Sequence, residues 1–201
     1  MVRHNKKSKR IQMIKIGNDI SSFSTYSYKP ESFKELKKIV TDRISKEGHK
    51  CDLNDIDTSL ITDMSGLFIG TLFNGDISKW DVSKVEDMNG MFYRTRFTGD
   101  ISGWDTSNVK DMGFMFYETR FNNDISNWNT SNVENMAHMF AHSKFNGDIS
   151  KWNVSNVTDM SYIFYNSSFN QDIRKWNIRL DCATGFMFDG CPVKDKFTTV
   201  L

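Results

Sequence analysis

The sequence has little from which a disulfide-stabilised or membrane protein could be built. Only three of the 201 residues are cysteines, an odd number without a C-x-x-C pair, so neither a disulfide framework nor a cysteine metal site is predicted. No apolar run approaches the length of a membrane span, and no apolar segment of an export signal follows the basic start MVRHNKKSKR. We therefore expect reduced thiols, no membrane span and a cytoplasmic location, with the cell surface as the alternative.

Net charge is nearly absent as well, at +1, but it is unevenly distributed. Residues 1–50 hold 13 Lys and Arg against 5 Asp and Glu, and the remainder holds 13 against 20. Such a basic start could contact nucleic acid, although it is more often a solvated terminus. The chain also has no phosphate-binding loop, no dinucleotide fingerprint and no nucleophile with a periodic histidine. We therefore predict a protein that is not an enzyme and holds no cofactor.

A 24-residue repeat dominates what is present. Counted from its leading phenylalanine, the unit is clearest at residues 73–96, FNGDISKWDVSKVEDMNGMFYRTR, and residues 49–72 form a degenerate first copy. Six copies exceed the roughly three that a stacked repeat needs for stability. The five tryptophans occupy position 8 of successive units: Trp80, Trp104, Trp128, Trp152 and Trp176.

The pattern inside each unit predicts its local structure. Apolar residues at positions 13, 16, 19 and 20 share one face of a helix, and Ser83 with Glu86 has the spacing of a capping box. The first half begins with an Asn-Gly turn signal and has an isoleucine between polar neighbours, which predicts a short parallel strand. The predicted fold class is therefore α/β, a solenoid of about six coils. The methionines at positions 16 and 19 are predicted to fill its core.

The two ends of the chain are expected to differ from the repeats. Residues 31–47 carry apolar residues at helical spacing between Pro30 and Gly48, and this amphipathic helix is expected to cover the first coil. Residues 11–16 are predicted to add one strand. The predicted organisation is a basic extension and capping helix over 1–48, the repeat solenoid over 49–192 and a tail over 193–201.

The units resemble a known family. The run W-D-V-S-x-V-x-D-M-x-x-M-F-Y, preceded by F-N-G-D-I-S, is similar to the bacterial surface-protein repeat of the BspA-like leucine-rich repeat family, and the similarity covers residues 51 to about 190. This resemblance implies a leucine-rich-repeat-like solenoid that binds proteins, often in adhesion at a cell surface. Members of the adhesive kind usually carry an export signal and an anchor, which are not seen in this sequence.

Positions 18 and 21 hold the candidate binding residues. On the predicted helix they point away from the core, and together they could form an aromatic stripe with arginines beside it, which is typical of protein interfaces. The alternative is that these rings pack within the array, and the polar face formed by positions 4, 6 and 7 is a competing surface. The predicted partner-binding residues are Tyr93, Arg94, Arg96, Phe114, Tyr117, Arg120, Tyr162, Tyr165 and Phe186.

Two other sets of residues are weighed as metal sites. His138 and His142 are four apart, but a third ligand is not evident, so a solvated pair is predicted. Aspartates recur at position 4 and could bind calcium, although the capping of turns is the favoured role. These are Asp76, Asp100, Asp124, Asp148 and Asp172.

The predicted function is a non-enzymatic protein-binding module, such as an adaptor or an inhibitor or immunity-type protein that occludes a macromolecular partner. One alternative is a cell-surface adhesin-like protein. The other is a nucleic-acid-associated protein that uses the basic amino terminus and the arginines. The sequence predicts neither the identity of the partner nor the oligomeric state.

Overall fold

The computed structural model describes residues 26–193 and contains one helix in that range, α1 (Phe33–Glu47). The predicted strand at 11–16, the basic start and the tail after residue 193 lie outside the described residues. Within them no extended strand forms, and parallel pairing is confined to isolated bridges such as Asp63↔Asp87 and Asp87↔Asp111. The predicted α/β fold class, with a strand and a helix in each coil, is therefore wrong.

Successive units are nevertheless joined by a regular set of backbone hydrogen bonds. The N–H groups at positions 16, 18, 20 and 22 donate to the carbonyls at positions 15, 17, 19 and 21 of the next unit, over 2.8–3.1 Å. His138, for example, donates to the Ser161 carbonyl at 2.9 Å, and Phe140 donates to that of Ile163 at 2.9 Å. The repeats therefore form a stack in which each unit contacts the one before it and the one after it.

These bonds between units explain why the predicted short helices are missing. A helix would need the same N–H groups for carbonyls four residues earlier in the chain. The N–H groups at positions 19, 21 and 23 instead close tight turns on carbonyls three residues back, as Met139 does on Met136. Positions 18 and 22 take positive φ, between 50° and 70°, as the third residue of a type II turn does. The second half of each unit is thus a chain of turns.

Asparagine and aspartate side chains shape three corners of the unit, at positions 4, 9 and 15. At each corner the side-chain oxygen accepts the backbone N–H two residues later, the arrangement of an Asx turn. Asp81, for example, accepts from Ser83 at 3.0 Å, and Asp87 accepts from Asn89 at 2.7 Å. The predicted capping box at Ser83 and Glu86 is therefore wrong, since Ser83 follows an Asx corner and starts no helix.

The core consists of ring columns that run through the stack. The ring centre of the fully buried Phe116 lies 5.7 Å from that of Phe92 and 5.7 Å from that of Phe140, and the rings are nearly parallel. Each tryptophan indole donates to the carbonyl at position 5 of the preceding unit, over 3.0–3.4 Å. The nine methionines of positions 16 and 19 are at most 2% exposed, which confirms their predicted place in the core.

The helix predicted over residues 31–47 is present as α1. Ser32 caps its start by accepting the Glu35 N–H, and Gly48, with φ of 89°, ends it. Its buried residues Leu36 and Val40 belong to the same core as the repeats. The α1 helix thus closes the amino-terminal end of the core.

Candidate functional site

Four aromatic side chains at position 18 form a partly exposed column along the outside of the stack. Phe114 and His138 stack at 4.5 Å, His138 and Tyr162 at 4.6 Å, and Tyr162 and Phe186 at 4.9 Å, with interplanar angles between 5° and 19°. Three of the rings are half-buried, and Phe186, at the end, is 57% exposed. We call these four residues the aromatic column.

The backbone beneath the column is in a conformation that favours glycine. Phe114, His138, Tyr162 and Phe186 have φ between 56° and 60°, where a Cβ atom is crowded by its own backbone. Glycine occupies this position in the first two units, as Gly66 and Gly90. The units that follow therefore carry large rings at a position where glycine would relieve the backbone.

The tyrosines of position 21 and one histidine extend the column sideways. Tyr93 and Tyr117 stack at 4.8 Å with nearly parallel rings. His142 meets Tyr117 and Tyr165 edge-on, each at 5.4 Å. Together with the aromatic column these four residues form one surface, which we call the aromatic face. The structure thus brings together the six aromatic residues that the sequence predicted for binding.

One of the predicted arginines, Arg94, lies against this face. The Arg94 guanidinium lies 5.3 Å from the Tyr93 ring centre and 5.9 Å from that of Tyr117, and its Nε donates to Glu118 at 2.6 Å. The hydrogen bond and the charge of Glu118 raise the pKa of Arg94 above its usual value. Arg96 and Arg120, at position 24, are exposed two residues beyond position 22.

The two histidines were predicted as a solvated pair, and for His138 this is wrong. It lies between the Phe114 and Tyr162 rings, and burial lowers its pKa below the usual value against the opposing charge of Asp159. A neutral His138 behaves as one more flat ring of the column at neutral pH. The sequence carried the signal for this role, because His138 shares position 18 of the repeat with Phe114 and Tyr162.

The aspartates of position 4 cap turns. Asp100 and Asp124 accept the N–H groups of Ser102 and Ser126 at 3.0 and 2.9 Å, and these hydrogen bonds lower the pKa of both carboxyls. Among the residues that the structure describes, no three His, Cys, Asp or Glu side chains are grouped as metal ligands would be. The turn-capping interpretation of these aspartates is confirmed.

The competing polar face carries two open grooves, of about 410 and 420 Å³. Asparagine side chains connect neighbouring units along it, as when Asn122 accepts from the Asn146 N–H at 2.7 Å. Many of these polar groups already form hydrogen bonds with one another. The residues that line the two grooves include no aromatic ring. The groove linings are Lys50, Asn74, Gly75, Asp76, Ser78, Gly99 and Asp100 in one, and Asn122, Asn123, Asp124, Ser126, Asn146, Gly147, Asp148 and Lys151 in the other.

The chain matches a known protein family over two overlapping ranges. Residues 31–141, and again residues 95–199, match the family described as "Mycoplasma protein of unknown function, DUF285". The chain belongs to the DUF285 family. No curated protein and no solved structure matches it.

The DUF285 match ascribes no function to this protein, and the resemblance to BspA-like repeats stays a prediction. The same is true of the predicted cell compartment. Within residues 26–193 of this DUF285 protein, no helix combines the length and the apolar character needed to cross a membrane.

Proposed function

We propose that this DUF285 protein is a non-enzymatic protein–protein interaction module that binds a macromolecular partner through the aromatic face. The observation that carries the proposal is the aromatic column, in which large rings are stacked on the outside of the stack at backbone positions that favour glycine. The proposal concerns binding alone and assigns no reaction to any residue.

The composition of the face supports this role. Tyrosine and arginine are enriched among the residues that contribute most to protein interfaces. Tyr93, Tyr117 and Arg94 supply this combination within 6 Å of one another. Because the rings already stack on one another, they lose little conformational freedom when a partner covers them. The face is thus arranged before it binds.

The backbone strain under the column supports it as well. A bulky residue at positive φ costs about 1–3 kcal/mol, and such positions are concentrated at functional sites. Here positive φ recurs in four consecutive units beneath the aromatic column, and at position 22 it recurs under Arg94 and His142 of the same surface as well as under Glu118 and Asn166. Stacking between the rings offsets part of this cost. A role in binding explains why large residues are kept at these positions despite the remaining cost.

The aromatic face is long enough to cover a broad area of a partner's surface. It runs from Tyr93 in the second unit to Phe186 in the sixth, across five successive units. We infer that the protein acts as an adaptor or as an inhibitor that covers a surface of its partner.

The test uses glycine variants, because glycine suits the φ of position 18. The double variant Phe114→Gly, Tyr162→Gly removes two rings while relieving the backbone. Affinity capture from source cells, read by mass spectrometry, should retain a specific protein on the wild type and lose it on this variant. The matched control is Leu60→Ser, Leu180→Ser, which removes two exposed apolar side chains elsewhere and should retain the partner. Equal retention by all three proteins would contradict the proposal.

A comparison of variant stabilities distinguishes the loss of the rings from a disturbance of the fold. Phe114→Gly should be more stable than Phe114→Ala by about 1 kcal/mol, since only the alanine keeps a Cβ atom at positive φ. This order is the reverse of the usual one, in which glycine is the less stable residue. Thermal unfolding of the two variants measures it, and a less stable glycine variant would contradict the assigned backbone conformation.

A further inference from the structure

We infer that the segment bound by the aromatic face is acidic, so that a protein partner presents carboxylates to the row of cations beside the rings. This inference rests on the proposed function and adds the chemistry of the partner. Three features carry it: the cationic row itself, the lack of carboxylates beside it, and the exposed edges of the rings.

The cationic row consists of Arg96, Arg120 and Lys144, at position 24 of three consecutive units. All three side chains are exposed, and each follows the exposed residue of position 22 by two residues. Stacking places the three like charges about one unit, or roughly 5 Å, apart. Their mutual repulsion is relieved when an anion binds along the row.

No carboxylate compensates this row. Within residues 26–193, none of its three members forms an ion pair. The one acidic residue at positions 22 and 24, Glu118, already pairs with Arg94 at 2.6 Å. The row therefore keeps an unbalanced positive charge, three residues along the chain from the tyrosines of position 21.

Some other exposed cations of the repeats have carboxylates close to them. Lys110 pairs with Glu86 at 2.7 Å. The lysines of position 7, such as Lys79 and Lys151, follow the position 4 aspartates by three residues. The pKa values of Asp76 and Asp148 are lowered mainly by hydrogen bonds from Ser78 and Ser150, and these lysines contribute to the lowering. These lysines are also interrupted by Gly103 and Asn127 in the two intervening units.

The geometry of the rings favours a protein segment over nucleic acid. Bases bind aromatic residues by stacking on ring faces. In the column the faces of His138 and Tyr162 are covered on both sides by neighbouring rings, so that among the described residues only the end rings, Phe114 and Phe186, have an outer face without a stacked ring. What the column exposes is ring edges, whose positive partial charge attracts anionic and carbonyl oxygens.

Fluorescence anisotropy with the full-length protein tests the inference. The probes are a labelled peptide of alternating glutamate and leucine, its counterpart with lysine in place of glutamate, and a labelled oligothymidine. The glutamate peptide should bind at least about tenfold more tightly than the lysine peptide, and raising NaCl from about 0.05 to 0.3 M should weaken it.

Charge reversal locates the interaction. The variant Arg96→Glu, Arg120→Glu, Lys144→Glu should lose at least about tenfold in affinity for the glutamate peptide. The control Lys79→Glu, Lys151→Glu, Lys175→Glu changes the net charge equally on the polar face and should bind like the wild type, apart from a smaller loss shared by any increase in negative charge.

The outcomes separate this inference from the proposed function. Equal losses in the two charge variants, or no preference for the glutamate peptide, would overturn the inference. Tighter binding of oligothymidine that depends on the row would overturn it in favour of nucleic acid. If the row variant still captures the cellular partner while Phe114→Gly, Tyr162→Gly loses it, the aromatic face binds a partner that is not acidic. If the glycine variant also captures it, the proposed function fails as well.

Discussion

Position 15 of the repeat places acidic side chains in a partly buried row. Asp63, Asp87 and Asp111 occupy it in successive units and are joined by parallel bridges. Burial raises the pKa of the Asp87 carboxyl, and the charges of Asp111 and Asp63 raise it further. One hydrogen bond, from the Asn89 N–H, opposes this effect. The row is therefore a place where ionisation opposes folding.

Replacing Asp87 by asparagine should stabilise the protein at neutral pH. The pKa of Asp87 is higher in the folded chain than in the unfolded chain, so the folded state gains stability from this group at low pH and loses it as the pH rises through the folded pKa. Asparagine removes the charge and keeps an oxygen for the Asn89 N–H, as Asn135 does for Ala137 at 2.9 Å. We expect Tm to rise by a few degrees at pH 7, with little change at pH 3.

A second aspartate supplies the control with the opposite sign. Asp105 is exposed, and its hydrogen bonds with Ser107 lower the pKa of its carboxyl. Its ionised form therefore favours the folded state above the unfolded pKa, so Asp105→Asn should leave Tm at pH 7 unchanged or slightly lower. A fall in Tm for Asp87→Asn at pH 7 would show that the row is held by interactions that need the carboxylate.

At the scale of elements, α1 covers the end of the stack where one set of carbonyls has no preceding unit. In later units the carbonyl at position 19 accepts an N–H from the unit before it. Within residues 26–193 the first unit has no such donor, and the Lys37 ammonium of α1 donates instead to the Leu67 carbonyl and, at 2.9 Å, to that of Gly66. One lysine therefore supplies a hydrogen bond that the backbone supplies elsewhere.

Replacing Lys37 by methionine should destabilise the protein through this end of the stack. Methionine keeps the apolar stem and removes the donor, which leaves part-buried carbonyls unsatisfied at a cost of about 1–3 kcal/mol. Chemical denaturation measures the loss. Lys38→Met is the control, because Lys38 is exposed and pairs only with Asp42 at 2.8 Å, a contact of small energetic weight. Equal effects of the two changes would show that Lys37 has no special role.

From the sequence, α1 and the 24-residue repeat were predicted correctly, whereas the local structure inside each unit was not. α1 has its cap, its stop and its apolar spacing within one short segment, so local residues determine it. Positions 13, 16, 19 and 20 also point inward in the observed chain of turns, and the spacing of apolar residues does not separate turns from a helix. The choice depends on N–H groups that bond to residues about 24 positions away.

The candidate site was predictable in part for the same reason. Phe114, Tyr117 and Tyr162 were identified because their positions recur on the outside of the unit. His138 shares position 18 with Phe114 and Tyr162, so the repeat itself carried the signal for its stacking, whereas the edge-on contacts of His142 depend on which side chains the neighbouring units place beside it. Positive φ at Phe114 and Tyr162 was not predictable from residues that ordinarily avoid it.

For the whole molecule, stacking means that the stability of each unit depends on its neighbours. Each inner unit has two neighbours, and its hydrogen bonds and ring columns are shared with both. In such arrays stability is close to a sum of unit terms and nearest-neighbour terms, so inner units open less often than terminal ones. Amide hydrogen exchange reports this opening at individual residues.

The exchange rate of each position 18 amide should therefore depend on whether the next unit supplies a carbonyl that accepts its hydrogen bond. Phe114 and His138 donate to carbonyls of the unit that follows, each at 2.9 Å, whereas no acceptor for the Phe186 amide lies within residues 26–193. We expect exchange at Phe186 to be at least about a hundredfold faster than at His138, as measured by NMR.

The Met187 amide separates the two causes of fast exchange. It closes a turn on Thr184 at 3.2 Å inside the last unit, so it has an acceptor even though that unit has one neighbour fewer. Slow exchange at Met187 beside fast exchange at Phe186 would mean that the last unit is formed and that the missing bond alone exposes Phe186. Equally fast exchange at both would mean that the whole last unit opens. In that case Phe186 would belong to the aromatic face only when a partner holds the unit closed.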